Sequence, residues 1–302
     1  MVHLIDALHL GAPDVLCVAL VECGPKELLL VDSGPESDFD AVVEGIKKIG
    51  FRPTDVKHLL ASHIHLDHTG GAWRWAKEFG TRIYAHPKGV PHLVDPSRLV
   101  GSATRIYGDK MHSLWGEAGQ IPKDQVVAVE DNAELQFGSQ RFRVLYTPGH
   151  AQHHNAYWLE SERTVFAGDV AGVLIRGGSP IPPFPPPDIH LETWKNSLDK
   201  IRALYPVSLH VTHFGRVDHP NRNLDVLEKR IFSWADWMKQ RLLEGKLEAE
   251  IIPEFERFTE QELLADGTPS EDLITYEQAD PAAMSVAGLT RYWRKYHPEQ
   301  VS

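Results

Sequence analysis

Apolar runs bounded by turn residues alternate with helix-like segments along the first 80 residues. Short continuous apolar runs are typical of buried strands, and apolar residues that recur every three or four positions indicate a helix. The predicted strands are residues 15–23, 28–31 and 59–62, and the predicted helices are residues 39–49 and 73–79. Gly24 and Pro25, between the first two strands, predict a hairpin turn.

The second half repeats this order of elements without a sequence repeat at a fixed period. Its predicted strands are residues 140–146, 155–159, 163–167 and 208–212, and its predicted helix is residues 191–204. Because strands are followed by helices in both halves, we expect an α/β fold in which two sheets carry helices on their outer faces.

Two segments lack this clear pattern. Residues 87–131 show weak periodicity and several Gly and Pro residues, and so long a stretch inside a domain is often functional. Residues 179–188 are rich in proline and must be extended, since proline fixes the backbone and removes hydrogen-bond donors. We interpret this second segment as a stiff surface connector, with the rigid rim of a pocket as the alternative.

The chain becomes helical beyond His219. Residues 224–243 have an apolar face that includes Trp234 and Trp237, and further helices are predicted at 259–265 and 281–296. An amphipathic helix gains stability by burying one face, either on the same chain or on a second subunit. We therefore predict a main domain at residues 1–218 and a helical extension at 219–302 that packs on it, with a homo-oligomer through these helices as a possibility.

Composition narrows the function classes. The chain has 302 residues, of which 42% are hydrophobic and 24% charged, and this is ordinary globular composition. Its net charge of −11 disfavours nucleic acid as a partner. Neither an apolar run long enough to span a membrane nor a secretory signal is recognisable, so we expect a cytoplasmic protein. Cys17 and Cys23 are too far apart along one strand for a disulfide, which predicts buried thiols.

The densest group of chemical side chains follows the predicted strand at 59–62. His63, His65, Asp67 and His68 lie within six positions and precede Gly70-Gly71. Residues two apart project alike in an extended segment, so His63 and His65 can hold one metal ion, while Asp67 and His68 can reach a second. With two cysteines in the chain, any such metal depends on histidine and carboxylate ligands.

Three later residues stand where an apolar strand ends: His150, Asp169 and His213. Each alone is typical of a turn. Together with the first four they provide five histidines and two aspartates, which suffice for two ions.

This set of residues resembles the metallo-β-lactamase superfamily over roughly residues 10–215. The resemblance implies an αββα sandwich, here with a helical C-terminal appendage, and two divalent ions, zinc or alternatively manganese or iron. It assigns His63, His65 and His150 to one ion, Asp67, His68 and His213 to the other, and Asp169 as the bridge between them. Asp32 matches the early aspartate of the family, which supports the metal loop without binding metal.

The chemistry implied is hydrolysis by a hydroxide held between the two ions, with Asp67 as the proton carrier and no serine or cysteine nucleophile. The presence of both His68 and Asp169 departs from the true β-lactamases and is similar to the glyoxalase II-like and lactonase-like branch. We therefore predict a hydrolase of small esters, thioesters or lactones. The alternatives are a mononuclear iron persulfide dioxygenase, a phosphodiesterase of the same fold, and a scaffold without activity.

Residues that shape specificity are harder to predict. His153 and His154 are interpreted either as support for the metal ligands or as surface residues. Tyr107, Trp115 and Phe184 are expected to pack in the core, with the wall of a pocket as the alternative. No cluster of Lys and Arg stands out as an anion site, and the substrate-binding residues stay open.

Overall fold

The computed structural model describes residues 1–301 and consists of two six-stranded sheets that face each other, with helices on both outer faces. The first sheet has the order β1-β2-β3-β4-β5-β6, and the second has the order β12-β11-β10-β9-β8-β7. The strands are β1 Val2–Asp6, β2 Cys17–Gly24, β3 Glu27–Val31, β4 Val56–Leu60, β5 Arg82–Ala85, β6 Val126–Ala128, β7 Glu134–Phe137, β8 Gln140–Tyr146, β9 Asn155–Leu159, β10 Thr164–Phe166, β11 Ser208–Val211 and β12 Gly215–Val217.

The helices lie on the outer faces of the sheets and above one edge of the sandwich. They are α1 Phe39–Lys48, α2 Leu66–Thr69, α3 Ala72–Phe79, α4 Val90–Val94, α5 Ser97–Tyr107, α6 Met111–Trp115, α7 Leu191–Arg202, α8 Pro220–Leu243, α9 Glu248–Ala265, α10 Leu273–Ala279 and α11 Ala282–Tyr296. Every strand and helix predicted above is present, and the α/β sandwich with C-terminal helices is confirmed. None of the helices in the described part of the chain is long and apolar enough to cross a membrane.

Burial on both faces explains why the strands are continuous apolar runs. Along β2, Val18 and Leu20 belong to the hydrophobic cluster between the first sheet and its helices. Ala19 and Val21 alternate with them and belong to the cluster between the two sheets. A strand covered on one face only would alternate apolar and polar residues, so the continuous run predicts a covered inner sheet face. Cys17 and Cys23 are buried free thiols, as predicted.

The expectation that residues 87–131 are irregular is wrong. This stretch folds into α4, α5 and α6 and ends in the edge strand β6. Helix α5 buries only Ala103 and leaves most of its residues partly or fully exposed. The helix is amphipathic, but its apolar side lies largely toward the cavity described below and not in the core.

The surface-connector interpretation of residues 179–188 is also wrong. Pro180, Pro182, Pro183 and Phe184 are buried, and Val173 pairs with the intervening Ile181 in an antiparallel bridge. The segment runs beneath the C-terminal helices and beside the cavity described below, so the alternative interpretation as a pocket rim is the one that the structure supports.

The C-terminal helices pack on the second sheet. One hydrophobic cluster contains Leu209 of β11, Trp194 of α7 and Trp234 of α8, and therefore includes residues on both sides of position 218. Helix α9 begins eleven residues before its predicted start, because Ile251 and Phe255 are buried despite Pro253 within the helix. The division of the chain at residue 218 and an oligomer through these helices stay predictions.

Candidate metal centre

The directions of the strands bring the predicted ligands to one edge of the sandwich. In the second sheet β8 is antiparallel to β9, β9 is antiparallel to β10, and β10 is parallel to β11. Strands β8, β10 and β11 therefore run in the same direction and end at the same edge. His150, Asp169 and His213 follow the last residues of these three strands by two to four positions. The sequence pattern of ligand types at strand ends is thus explained by topology.

The remaining predicted ligands follow β4 of the first sheet. The chain leaves β4 at Leu60, continues through His63 and His65, and enters the short helix α2, which carries Asp67 and His68. Two clusters result. The first cluster consists of His63, His65 and His150, and the second cluster consists of Asp67, His68, Asp169 and His213. Within each cluster, the candidate ligand atoms lie within 4.8 Å of one another.

Asp169 faces both clusters. Its Oδ2 lies 3.5 Å from His150 Nε2, in the first cluster. Its Oδ1 lies 3.3 Å from His68 Nε2 and 3.7 Å from His213 Nε2, in the second. The preceding Gly168 has a φ of +50°, and a Cβ there would lie 2.8 Å from Ser62 Cβ. Glycine at this position lets the chain turn tightly enough to aim the carboxylate between the clusters.

Backbone carbonyls fix the rings of two histidines. His150 Nδ1 lies 3.1 Å from Pro183 O, and His213 Nδ1 lies 3.1 Å from Val15 O. A carbonyl oxygen only accepts, so each Nδ1 carries the hydrogen and each Nε2 presents a lone pair toward its cluster. This is the arrangement that orients metal-binding histidines in proteins.

Asp32 connects the loops beneath the second cluster. Its Oδ1 accepts a hydrogen bond from Ser62 N at 2.7 Å, and its Oδ2 accepts from Ser62 Oγ at 2.8 Å, His68 Nδ1 at 2.8 Å and Thr212 Oγ1 at 3.0 Å. Asp32 itself is buried and has a φ of +59°, a conformation uncommon outside glycine, asparagine and aspartate. The carboxylate thus holds together segments that follow β3, β4 and β11.

The two clusters differ in charge. Burial, together with the neighbouring histidines, lowers the pKa of His63 well below its usual value, and burial lowers the pKa of His150 to about 4. Burial alone would raise the pKa of Asp67, but His68 and His213 outweigh it and hold this pKa below its usual range. Burial alone would lower the pKa of His68, but Asp169, Asp67 and Asp32 outweigh it and raise this pKa well above its usual value. The first cluster is therefore a set of neutral imidazoles, and the second combines carboxylates with a protonated imidazole.

The residues fit divalent ions. In the first cluster, His65 Nδ1 lies 2.8 Å from His63 Nε2 and 3.2 Å from His150 Nε2, so three ring nitrogens converge on one point. In the second, His68 Nε2 and Asp169 Oδ1 are buried and make no hydrogen bond within residues 1–301. Buried polar atoms without partners are costly, and a cation satisfies them. Imidazole and carboxylate are suitable ligands for zinc, manganese and iron.

His153 and His154 are not plain surface residues. His154 is fully buried, and its Nδ1 lies 2.8 Å from Thr147 Oγ1 while its ring stacks on His63. His153 Nδ1 accepts a hydrogen bond from Ile64 N at 3.4 Å, within the loop of the first cluster. The interpretation as support for this loop is the one that agrees with the structure.

The comparison with known proteins agrees with this geometry. The family model of the metallo-beta-lactamase superfamily matches residues 12–208, about two thirds of the chain. The chain belongs to this superfamily. Its members are metal-dependent hydrolases, and the match ends just before the third of the strand-end ligands, His213.

Individual relatives support the same assignment. The chain is 28% identical over 218 residues to the metallo-beta-lactamase fold-containing protein ST1585 of Sulfurisphaera tokodaii, covering 71% of this chain and 78% of that protein. The crystal structure of ST1585 superposes with a TM-score of 0.64 at 26% identity, over 76% of this chain and 85% of that one. The TTHA1429 protein of Thermus thermophilus superposes over 97% of this chain and 93% of its own, with a TM-score of 0.65; at 22% identity, this shows the fold alone.

A third relative has a named activity. The hydroxyacylglutathione hydrolase of Methylococcus capsulatus is 27% identical over 179 residues. The match covers 57% of this chain and 54% of that protein, so it extends over only about half of the relative. It supports a hydrolase without identifying the substrate of this chain.

A cavity of about 1450 Å³ opens over both clusters. Tyr107 and Trp115 contribute to its wall, as the less favoured prediction had it, whereas Phe184 is buried behind the wall against Trp194. Sequence reasoning missed the charged side of this wall, where Arg98 and Arg105 of α5 lie. Their separation by seven residues, which places them on one helical face, was the available signal.

Proposed function

We propose that the protein is a dinuclear metal-dependent hydrolase of small-molecule esters, thioesters or lactones. The observation that carries the proposal is Asp169, whose two carboxylate oxygens face two different clusters. A site for one ion does not need a carboxylate between two clusters. Here, on either side of Asp169, histidine and carboxylate side chains are numerous enough to hold an ion. Zinc is the ion that we expect, with manganese or iron as alternatives.

Ions bound at the two clusters supply Lewis-acid polarisation of the substrate oxygen and lower the pKa of water. Asp67 Oδ2 lies 3.5 Å from His68 Nε2 and 3.4 Å from His213 Nε2, and the side chain lines the cavity. In this position Asp67 takes the proton of the attacking water and passes it to the leaving oxygen or sulfur. The buried wall behind His63 and His150 excludes bulk water from the other side.

Two facts favour carbonyl substrates. The named relative acts on a hydroxyacylglutathione, as its name states. The apolar character of the cavity suits an acyl group better than a polyanionic backbone, and the net charge of −11 argues in the same direction. The absence of a nucleic-acid partner and the cytoplasmic location stay predictions.

The test combines metal analysis with a substrate panel. We expect two divalent ions per chain, and hydrolysis of a lactone, thioester or ester that is lost on chelation and restored by zinc or manganese. His63→Ala and Asp169→Ala should each lose activity, and Asp169→Ala should lower the occupancy of both ions. His112→Ala, at an exposed position, serves as the matched control.

Three outcomes would overturn the proposal. They are full activity after stringent chelation, normal occupancy of both ions in Asp169→Ala, and one iron per chain together with oxygen consumption on a persulfide. The last result would assign the chain to the iron dioxygenase alternative.

A further inference from the structure

The cavity is larger than a small acyl group requires. Pockets for drug-sized ligands are about 300–1,000 Å³, and this cavity is about 1450 Å³. Its lining joins three parts of the chain that sequence analysis treated separately: α5 and α6, the proline-rich segment, and the turn from α10 into α11. The C-terminal helices therefore help to form the substrate site.

The wall from α11 is apolar and leaves space. Ala283, Met284 and Ala287 lie on one face of this helix and line the cavity. Two further apolar residues line the same cavity and are exposed: Ile106 of α5 is 45% exposed, and Leu10 is 58% exposed. Covering these exposed apolar side chains with an apolar ligand removes them from water and is therefore favourable, and the small alanine side chains opposite leave room for such a ligand.

The α5 side of the cavity carries positive charge. Arg98 and Arg105 are two helical turns apart on the same face of α5, and Lys110 lies in the short segment between α5 and α6. All three are exposed and, within residues 1–301, none has a carboxylate within 4.0 Å. The one acidic residue that this wall contributes to the cavity is Asp109. Three free cations at the rim of the cavity contrast with the net charge of −11 for the chain.

We propose that the substrate is an amphipathic acyl ester or thioester, with a long apolar acyl chain inside the cavity and an anionic group at the rim formed by Arg98, Arg105 and Lys110. This inference rests on the proposed function. Water adds across the acyl carbon–oxygen or carbon–sulfur bond, which breaks: the water oxygen joins the acyl carbon, one water proton goes to the leaving alcohol or thiol, and the other is released to solvent as the acid ionises to a carboxylate. The anion is a carboxylate or a phosphate, which the experiment distinguishes.

The first arm of the test varies the acyl chain with a neutral leaving group. Acetyl, butyryl, octanoyl and lauroyl thioesters of N-acetylcysteamine are compared with the zinc-loaded enzyme. While the chain remains inside the cavity, kcat/KM should rise about fourfold for each added methylene, as expected for burial of an apolar group. Ala287→Phe narrows the cavity and should lower the ratio of lauroyl to acetyl kcat/KM. Ala249→Phe, at an exposed alanine of α9 outside the cavity, should keep the wild-type ratio.

The second arm varies the leaving group with an octanoyl chain. Thioesters of coenzyme A carry phosphates, those of mercaptopropionate carry a carboxylate, and those of N-acetylcysteamine are neutral. We expect an anionic leaving group to give the higher kcat/KM, and Arg105→Glu to reduce this preference about fivefold or more, with the effect weakened by salt. Arg257→Glu, at an exposed arginine of α9 outside the cavity, is the matched charge reversal.

The outcomes separate the two proposals. If no thioester, ester or lactone is hydrolysed by the metal-loaded enzyme, the proposed function is wrong. If acetyl and lauroyl thioesters are hydrolysed equally well, or if Ala287→Phe keeps the wild-type ratio, the apolar part of the inference is wrong and the hydrolase stands. If octanoyl thioesters with neutral and with anionic leaving groups have equal kcat/KM, the proposal of an anionic group bound by Arg98, Arg105 and Lys110 is wrong.

Discussion

Replacement of Asp32 by asparagine tests whether the buried carboxylate holds the site together. Asp32→Asn keeps the shape of the side chain but turns one oxygen into a donor. Oδ1 faces the Ser62 N–H group, and Oδ2 faces three donors, so either orientation of the amide places a donor against a donor. Hydrogen bonds to a charged group contribute about 1.5–3 kcal/mol each, and a buried donor without a partner costs about 1–3 kcal/mol.

The expected loss in the free energy of unfolding is about 2.5–6 kcal/mol, counting one bond lost and one donor left unpaired. This corresponds to a melting temperature lowered by roughly 5–10 °C. The loss should extend to metal binding, because Asp32 orients His68 through Nδ1. Removing such a partner typically weakens metal affinity about 10–100-fold.

Thermal unfolding and competition with a zinc chelator measure both effects on the same preparation. Asp124→Asn, at an exposed aspartate, controls for the change in net charge and should leave both values unchanged. If Asp32→Asn melts at the wild-type temperature and binds zinc with wild-type affinity, the hydrogen bonds of Asp32 do not organise the site, and its role in the proposal is refuted.

Three further predictions concern single side chains. Asp67→Asn should lower kcat strongly on the best substrate even when metal is retained, because an amide cannot carry the proton; an unchanged rate would contradict both roles of Asp67. Trp234→Ala should destabilise the protein by about 3–5 kcal/mol, and Trp237→Ala by less, since only Trp234 is fully buried; urea unfolding measures both. Burial lowers the pKa of His210 to about 4 in the folded protein, whereas in the unfolded chain this pKa is about 6.5. Between pH 7 and pH 5 the unfolded chain therefore binds a proton that the folded protein does not, and the free energy of unfolding should fall by about 2 kcal/mol. His210→Phe should reduce this slope in urea titrations at the two pH values, whereas His112→Phe should not.

The sequence predicted most of the fold, and it predicted candidate ligands that the structure brings together in two clusters. Strands such as β2 are covered on both faces, so their apolar runs are unmistakable and indicate a second layer. The two clusters were predictable because His63 to His68 are close in sequence, and because His150, Asp169 and His213 follow apolar strands that end at one edge. Resemblance to a family then assigned individual roles, which spacing alone left open.

The cavity wall was not predictable from the pattern. Helix α5 is amphipathic, but its apolar residues Leu99, Ala103 and Ile106 line the cavity, and the pattern alone does not distinguish a stripe that faces a cavity from one that faces the core. The wall also joins residues that are far apart in sequence, such as Ile106 and Ala287. The predicted helical extension contributes to this wall, because Trp234 and its neighbours anchor α8 on the second sheet and α11 packs against α8.

The architecture separates stability from chemistry. Within residues 1–301, the two clusters collect buried polar atoms that make no hydrogen bond, such as His68 Nε2 and Asp169 Oδ1, and a buried polar atom that is left unsatisfied costs about 1–3 kcal/mol. Three hydrophobic clusters, two between a sheet and its helices and one between the sheets, offset this cost from outside the site. Ion binding then adds stability because it selects the folded state. The candidate ligands consequently sit on strand ends that the core fixes, and two residues of the cavity wall, Pro183 and Val15, orient His150 and His213 through their carbonyl groups.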